Sequence, residues 1–303
     1  MTATYVAAAT LDEALAAVRA GARPIAGGTD LVVGDRQGKS PLPDALVAIH
    51  ELEELRGITE QAGGGLRIGA LASHTDLVEH PLVRERFTAL ADASAIVGSH
   101  ATRHVGTIGG NVMNASPAME TGGPLMCFAA AAVLVSAGGE RRLPLEELLT
   151  GPGRTSAQPD ELLVAIELPG PPAGSGSCYA RLEYRRQMEI AVVGATCAVT
   201  LDGAEITAAR IAITALAPTI LRVPAAEATL VGSDGGAAAV SAAGDAAAAA
   251  ASPISDVRAS SDYRLAMAAV IARRTVAAAI ARARGGSGAV PIPASPALHG
   301  AAD

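Results

Sequence analysis

The chain has no tryptophan, and phenylalanine and tyrosine together bring its aromatic content to only 2% of 303 residues. A planar ligand would therefore rest on aliphatic and backbone surfaces rather than between stacked rings. Cysteine is almost as scarce. Cys127, Cys178 and Cys197 are widely separated and odd in number, which supports neither a disulfide framework nor a zinc or iron–sulfur ligand set and fits a cytoplasmic setting. An excess of positive charge is also missing: 23 basic residues face 30 acidic ones, a net charge of -7. Neither nucleic acid nor an anionic membrane is expected as a main partner. The most apolar segment, residues 125–137, is too short to cross a bilayer. Asp12 and Glu13 interrupt the start, where a signal peptide would need a basic region and then an apolar one. No membrane span is expected. What remains is a chain that is 50% hydrophobic, able to bury a substantial core in two or three domains.

Two glycine pairs stand out against this background. One lies in Ile25-Ala26-Gly27-Gly28-Thr29-Asp30-Leu31, the other in Thr107-Ile108-Gly109-Gly110-Asn111-Val112-Met113-Asn114-Ala115-Ser116-Pro117. A residue without Cβ can take positive φ and let a bulky group approach backbone N–H donors, which suits a pyrophosphate. The hydroxyl, amide and carboxylate residues that follow each pair can add side-chain bonds. Glycine alone leaves ligand loop and tight turn about equally open; the joint occurrence of the pairs favours one ligand clamped from two sides. Other motifs lead nowhere. No G-x-G-x-x-G opens a βαβ unit, and Gly63-Gly64-Gly65 has the wrong spacing for a nicotinamide dinucleotide. Residues 34–40 imitate a P-loop, but Gly34 and Gly38 are too close and Pro41 blocks the helix that must follow. His100 and His104 lack an intervening carboxylate and a third ligand. Hydrolysis has no positive support, since no Ser/His/Asp or Cys/His grouping is evident.

The periodicity predicts an α+β fold. A first helix over residues 11–20 has Thr10 as N-cap and Gly21 as stop. Short strands follow at residues 23–26, 45–49 and 66–70, with the apolar run Leu31-Val32-Val33 after the first glycine pair. A helix is expected over residues 86–97 with Phe87, Leu90 and Ile96 inward, and a buried helix over 125–133. Strands are expected at 133–135 and 162–169, the first turned by Gly138-Gly139. Residues 170–177 read as a linker. Beyond it, strands at 190–201 and 208–216 around Gly203 make a hairpin, backed by helices near 225–231, 237–251 and 263–283, the last with Asp262 as N-cap. Residues 285–303 read as a flexible tail.

The two glycine segments, in this order, resemble the FAD-binding medium subunit of the molybdenum hydroxylases, the group of xanthine dehydrogenase, aldehyde oxidoreductases and aerobic carbon monoxide dehydrogenase. Residues 26–31 match that family's A-G-G-T/H-D/S-L, and Arg103 to Asn111 match its R-N-x-G-T-I-G-G-N with His104 in the Asn place. The likeness runs from about Tyr5 to Ala283. It implies a two-subdomain FAD-binding domain of the vanillyl-alcohol-oxidase (PCMH) type at 1–172, divided near 57, and a C-terminal domain at 176–284 with a small antiparallel sheet and a helical bundle. It implies FAD held on one side by Ala26, Gly27, Gly28, Thr29, Asp30 and Leu31, with Arg23 and Ile25 at the entrance. The other side is Thr107, Ile108, Gly109, Gly110, Asn111, Asn114 and Ser116, with Val97 near the isoalloxazine ring and Leu163 near the cofactor.

Three positions depart from the family pattern while keeping its charge: Glu120 and Glu189 replace Asp, and Arg181 replaces Lys before Arg185-Arg186. Glu120 is expected to accept a hydrogen bond from an FAD hydroxyl, and Arg181 to lie near the flavin and stabilise its reduced form. No cysteine-bearing insertion separates the loops, so no additional iron–sulfur cluster is expected in this chain. The resemblance further implies a large partner subunit with the molybdenum cofactor and a small one with two [2Fe–2S] clusters, assembled as a dimer of heterotrimers. This chain would carry electrons through FAD to an external acceptor. The alternatives are a free-standing FAD oxidase or dehydrogenase of the vanillyl-alcohol type and a flavin-free assembly protein.

Overall fold

A computed structural model describes residues 4–286, so almost all of the tail expected at 285–303 lies outside the described residues. The first layer is a parallel sheet in which β1 (Thr4–Ala7) and β2 (Arg23–Ile25) flank β3 (Ala45–Ala48). Helix α1 (Leu11–Arg19) connects the first two strands. It starts where the sequence predicts, because the Thr10 hydroxyl accepts from the Glu13 N–H at 3.2 Å, and it ends at Gly21, whose φ of 95° stops the helix. After β2 the chain turns through the first glycine pair into α2 (Leu31–Arg36). Ala14, Val18, Val47, Ile49 and Leu52 form the core beneath.

The second layer is an antiparallel sheet. Its strands β4 (Ile58–Glu60), β5 (Leu66–Gly69), β6 (Ala131–Ser136), β7 (Gly139–Pro144) and β10 (Leu162–Leu168) lie in the order β4-β5-β10-β6-β7, with a small ribbon of β8 (Leu149–Gly151) and β9 (Arg154–Thr155) beside it. Between β5 and β6 come α3 (His74–Glu79), α4 (Pro81–Arg86), α5 (Thr88–Ser94), α6 (His100–Val105), α7 (Ile108–Asn114) and α8 (Gly122–Cys127), and α9 (Leu145–Leu148) follows β7.

Two expected boundaries move here. The helix predicted over 86–97 is broken at Phe87 (φ -119°, ψ 47°), whose ring meets Phe128 edge-on at 5.0 Å in the core. The helix predicted over 125–133 ends at Cys127. Ala129 takes a left-handed φ of 54°, and the N–H groups of Ala129 and Ala130 return to the carbonyls of Met126 and Leu125. That is a Schellman closure with alanine where glycine is usual.

The third unit is an antiparallel sheet of β11 (Ser175–Leu182), β12 (Val193–Asp202), β13 (Glu205–Thr214) and β14 (Leu221–Arg222), in that order. Its central hairpin turns at Gly203, as expected. Strand β11 begins inside the predicted linker. Gly176 is needed there because a Cβ would come within 2.3 Å of the Ala283 N–H nitrogen, so glycine serves close packing rather than flexibility. One face of this sheet, with Tyr179, Ala212 and Ile220, completes the core of the second layer. The other face packs on α10 (Pro224–Ala228), α11 (Ala237–Ala249) and α12 (Ser261–Ala283). The cap of α12 is Ser260, whose hydroxyl accepts from the Tyr263 N–H, while Asp262 lies in the first turn. An ion pair of Arg282 with Asp92 (2.6 and 3.0 Å) ties α12 to α5. Among the described residues no helix is long and apolar enough to cross a membrane.

Candidate functional site

The two glycine segments meet. A Cβ on Gly27 would lie 2.0 Å from the Val105 carbonyl oxygen, so the first turn rests directly on the end of α6. The Thr29 hydroxyl lies 3.5 Å from where a Gly106 side chain would begin, and Asn114 Nδ2 donates to Asp30 Oδ1 at 3.2 Å. Gly28 takes φ 68°, the left-handed region that glycine enters without steric cost. The backbone N–H groups of Gly27, Gly28, Thr29 and Asp30 donate to no acceptor among the described residues. Four consecutive free donors beside a closely approached turn suit an anion.

The second pair departs from the expected loop. Residues 108–114 are a helix, and neither Gly109 nor Gly110 has positive φ. Their N–H groups are occupied: Ile108 donates to the Ala72 carbonyl, Gly109 to that of Ala70, and Gly110 to the Thr107 hydroxyl at 3.1 Å. Gly109 is required because a Cβ would stand 2.6 Å from the Ala70 oxygen, so the pair lets α7 lie against the end of β5. What α7 offers a ligand is side chains. Asn111 is half-buried, with Oδ1 accepting from Thr121 at 2.6 Å, and Asn114 faces Asp30. Ser116 follows the left-handed residue Ala115 (φ 47°), and its hydroxyl accepts from the Ala118 N–H.

Val97 joins this region through Arg103, which is buried and donates to the Val97 carbonyl at 3.1 Å. Arg23 is exposed on β2, and Leu163 is buried in the core on β10, so neither is brought to the meeting point by a hydrogen bond. Arg181 is 2% exposed and Glu120 is 7% exposed. The guanidinium donates to Glu120, to Glu183 Oε2 at 2.5 Å and to the Glu189 carbonyl at 3.2 Å. Burial pushes the Glu120 carboxyl above its ordinary value against the pull of Arg181. Burial also acts to lower the Arg181 value, but the surrounding acidic groups, Glu120 foremost, hold it above the ordinary one. A guanidinium keeps its proton in proteins, so Arg181 is a cation already flanked by two carboxylates.

Three participants were not singled out by sequence reasoning. Gly106 and His74 lie between the segments, with the His74 N–H donating to the Gly106 carbonyl at 3.1 Å. Burial, reinforced by Arg103, lowers the His74 pKa to about 4. Glu183 was the third. Its signal was an acid two places after Arg181, in the alternation of apolar and polar residues that runs from Ala180 to Tyr184 past the end of β11.

Comparison with known proteins accords with this arrangement. Residues 1–171 match the FAD binding domain in molybdopterin dehydrogenase, and residues 178–279 match the CO dehydrogenase flavoprotein C-terminal domain. The chain is 32% identical over 286 residues to the putative xanthine dehydrogenase FAD-binding subunit XdhB of Escherichia coli K12, covering 93% of this chain and 98% of that one. It is 32% identical over 263 residues to the carbon monoxide dehydrogenase medium chain of Afipia carboxidovorans, covering 87% and 90%. Its fold superposes on a chain of the carbon monoxide dehydrogenase of Hydrogenophaga pseudoflava with a TM-score of 0.89 and 33% identity, covering 93% of this chain and 98% of the other. With both regions matched in order, this chain belongs to the family of FAD-binding subunits of molybdopterin dehydrogenases.

Proposed function

We propose that this chain is the FAD-carrying electron-transfer subunit of a molybdenum hydroxylase complex of the xanthine dehydrogenase or carbon monoxide dehydrogenase type. The observation that carries the reading is the turn at residues 27–30, with its run of unpartnered N–H donors closed against Val105 and Asn114. A diphosphate would accept from those donors, so the residues present fit the cofactor. Ala26 to Leu31 form one wall, with Arg23 and Ile25 at its edge. The side chains of Thr107, Asn111, Asn114 and Ser116 form the opposite wall, and Ile108, Gly109 and Gly110 serve as the framework that holds them. Val97 would face the ring, and Leu163 would back the site from the core. Glu120 and Arg181 contribute as a buried pair. The two N-terminal layers correspond to halves of a vanillyl-alcohol-oxidase (PCMH) type domain, near 1–57 and 58–172, followed by a C-terminal domain at 176–284.

Bound FAD supplies reversible redox chemistry between one-electron carriers and a two-electron acceptor. The chain's own residues bind and orient the cofactor and set the charge around it; no general acid or base is assigned. The matched relatives belong to dehydrogenase complexes, which supports a large molybdenum-cofactor subunit and a small [2Fe–2S] subunit as partners. A dimer of heterotrimers in the cytoplasm completes the proposal. The test is co-purification from the native complex with metal analysis and an absorption spectrum. Flavin bands together with molybdenum and iron are expected. A yellow chain that never associates with metal-bearing subunits would favour the free-standing oxidase, and a colourless chain after FAD reconstitution would favour the assembly protein.

A further inference from the structure

Glu183 lies outside the residues that the resemblance implied, yet its side chain is only 2% exposed and it closes the far side of the Arg181 guanidinium. Arg181 bridges three parts of the fold. Through Glu120 it reaches the segment after α7, where the adjacent Thr121 holds Asn111. Through Glu183 it is fixed at the end of β11. Through the carbonyls of Arg186 (3.5 Å) and Glu189 (3.2 Å) it orders residues 183–190 from within. That strap is fastened at its other end as well. The Met188 N–H donates to the Gly98 carbonyl at 2.8 Å and the Thr102 hydroxyl donates to Met188 Sδ at 3.7 Å, immediately beside Val97. Met188 holds a left-handed φ of 51°, a conformation that a non-glycine residue keeps only when its surroundings enforce it.

Glu183 therefore does more than balance charge. A guanidinium is a rigid planar fork, and with Nε fixed on Glu183 its Nη groups are aimed at Glu120 and at the strap carbonyls. The second oxygen of Glu183, Oε1, makes no hydrogen bond among the described residues. It lies 3.5 Å from Arg186, and Glu183 is among the residues lining a cavity of about 230 Å³ between α5 and β11, large enough for ordered water. Glu120 and Glu183 face Arg181 and Arg186, a formally balanced cluster, so the positive charge of Arg181 is already matched within the protein.

We propose that Glu183 is a positioning residue: it aims Arg181, locks the strap 183–190 across the Val97–Gly98 segment, and balances the positive charge of Arg181 and Arg186 beside the flavin site. The electrochemical half rests on the FAD reading; the positioning half does not.

Both halves are tested in the full chain with Glu183→Gln, which keeps shape and removes charge, and Glu183→Asp, which keeps charge. In the FAD-free protein, limited trypsin cleavage after Arg185 and Arg186 should be at least fivefold faster in Glu183→Gln than in wild type, while cleavage after Arg56 is unchanged. Equal acceleration at both places, or none, overturns the positioning role. In the FAD-loaded protein, Glu183→Gln should shift the flavin midpoint potential upward, because removing a negative charge favours the more negative reduced cofactor. Glu183→Asp should restore the wild-type potential. An unchanged potential in Glu183→Gln overturns the electrochemical role. Failure of wild-type protein to take up FAD would sink the flavoprotein reading and the electrochemical half with it, and the cleavage ratio would still decide the positioning half.

Discussion

Gly27-Gly28 and Gly109-Gly110 look alike in sequence and do different work. The first pair supplies an open turn with a left-handed glycine, a close approach to Val105 and unpartnered donors. The second is built into a helix whose first N–H groups are spent on Ala72, Ala70 and Thr107. A glycine pair therefore marks a place where backbone must come close to something. Whether that something is a ligand or the next strand depends on who has already taken the N–H groups.

The contrast can be broken or sharpened by substitution. Gly27→Ala should have the largest effect: its Cβ would overlap the Val105 carbonyl at 2.0 Å, costing about 3 kcal/mol and abolishing FAD retention, read by thermal denaturation and flavin fluorescence. Retained FAD would show that this turn is not the anion cradle. Acid should act nearly as strongly through His74, which is buried beside Gly106. Its folded pKa of about 4 lies below the ordinary 6.5, so the unfolded chain binds the extra proton. The stabilisation is full above pH 6.5 and is lost as pH falls toward 4, by up to about 3 kcal/mol. His74→Leu should flatten that part of the stability–pH curve, and an unaltered curve would place the titration elsewhere.

Gly109→Ala should cost about 2 kcal/mol by crowding Ala70, yet the folded fraction should bind FAD with affinity within about threefold of wild type. A selective loss of FAD without loss of stability would erase the distinction between the pairs. Thr107→Ala should remove the α7 cap, lowering stability by about 1 kcal/mol in urea titrations. Gly110→Ala should change least. Its Cβ would meet only the Thr107 hydroxyl at 3.0 Å, and helix propensity offsets that crowding to within about 0.5 kcal/mol.

Local signals were readable wherever their cause lay within a few residues. Thr10 and Gly21 bound α1, and Gly203 turns the β12–β13 hairpin, because a cap or a turn needs only its neighbours. Readings failed where a distant contact overrode the local pattern. Ala129 carries no stop signal, but core packing at Phe87 and Phe128 favours ending α8 there. The Gly-rich stretch 170–177 reads as a linker until α12 is laid against Gly176, which is already part of β11. Asp262 is a plausible cap, and Ser260 is the one whose hydroxyl reaches the Tyr263 N–H.

The sequence by itself determined the order of the two glycine segments, the family pattern around them and most of the elements that carry them, since periodicity and turn chemistry act over a few residues. Only the tertiary structure decided which glycine pair keeps free donors and how Arg181 is neutralised. Those outcomes rest on partners such as Asp30 with Asn114, 84 residues apart, and Glu120 with Arg181, 61 apart. Hydrogen-bond satisfaction and buried charge are settled by whatever the fold brings alongside, and no local pattern encodes that.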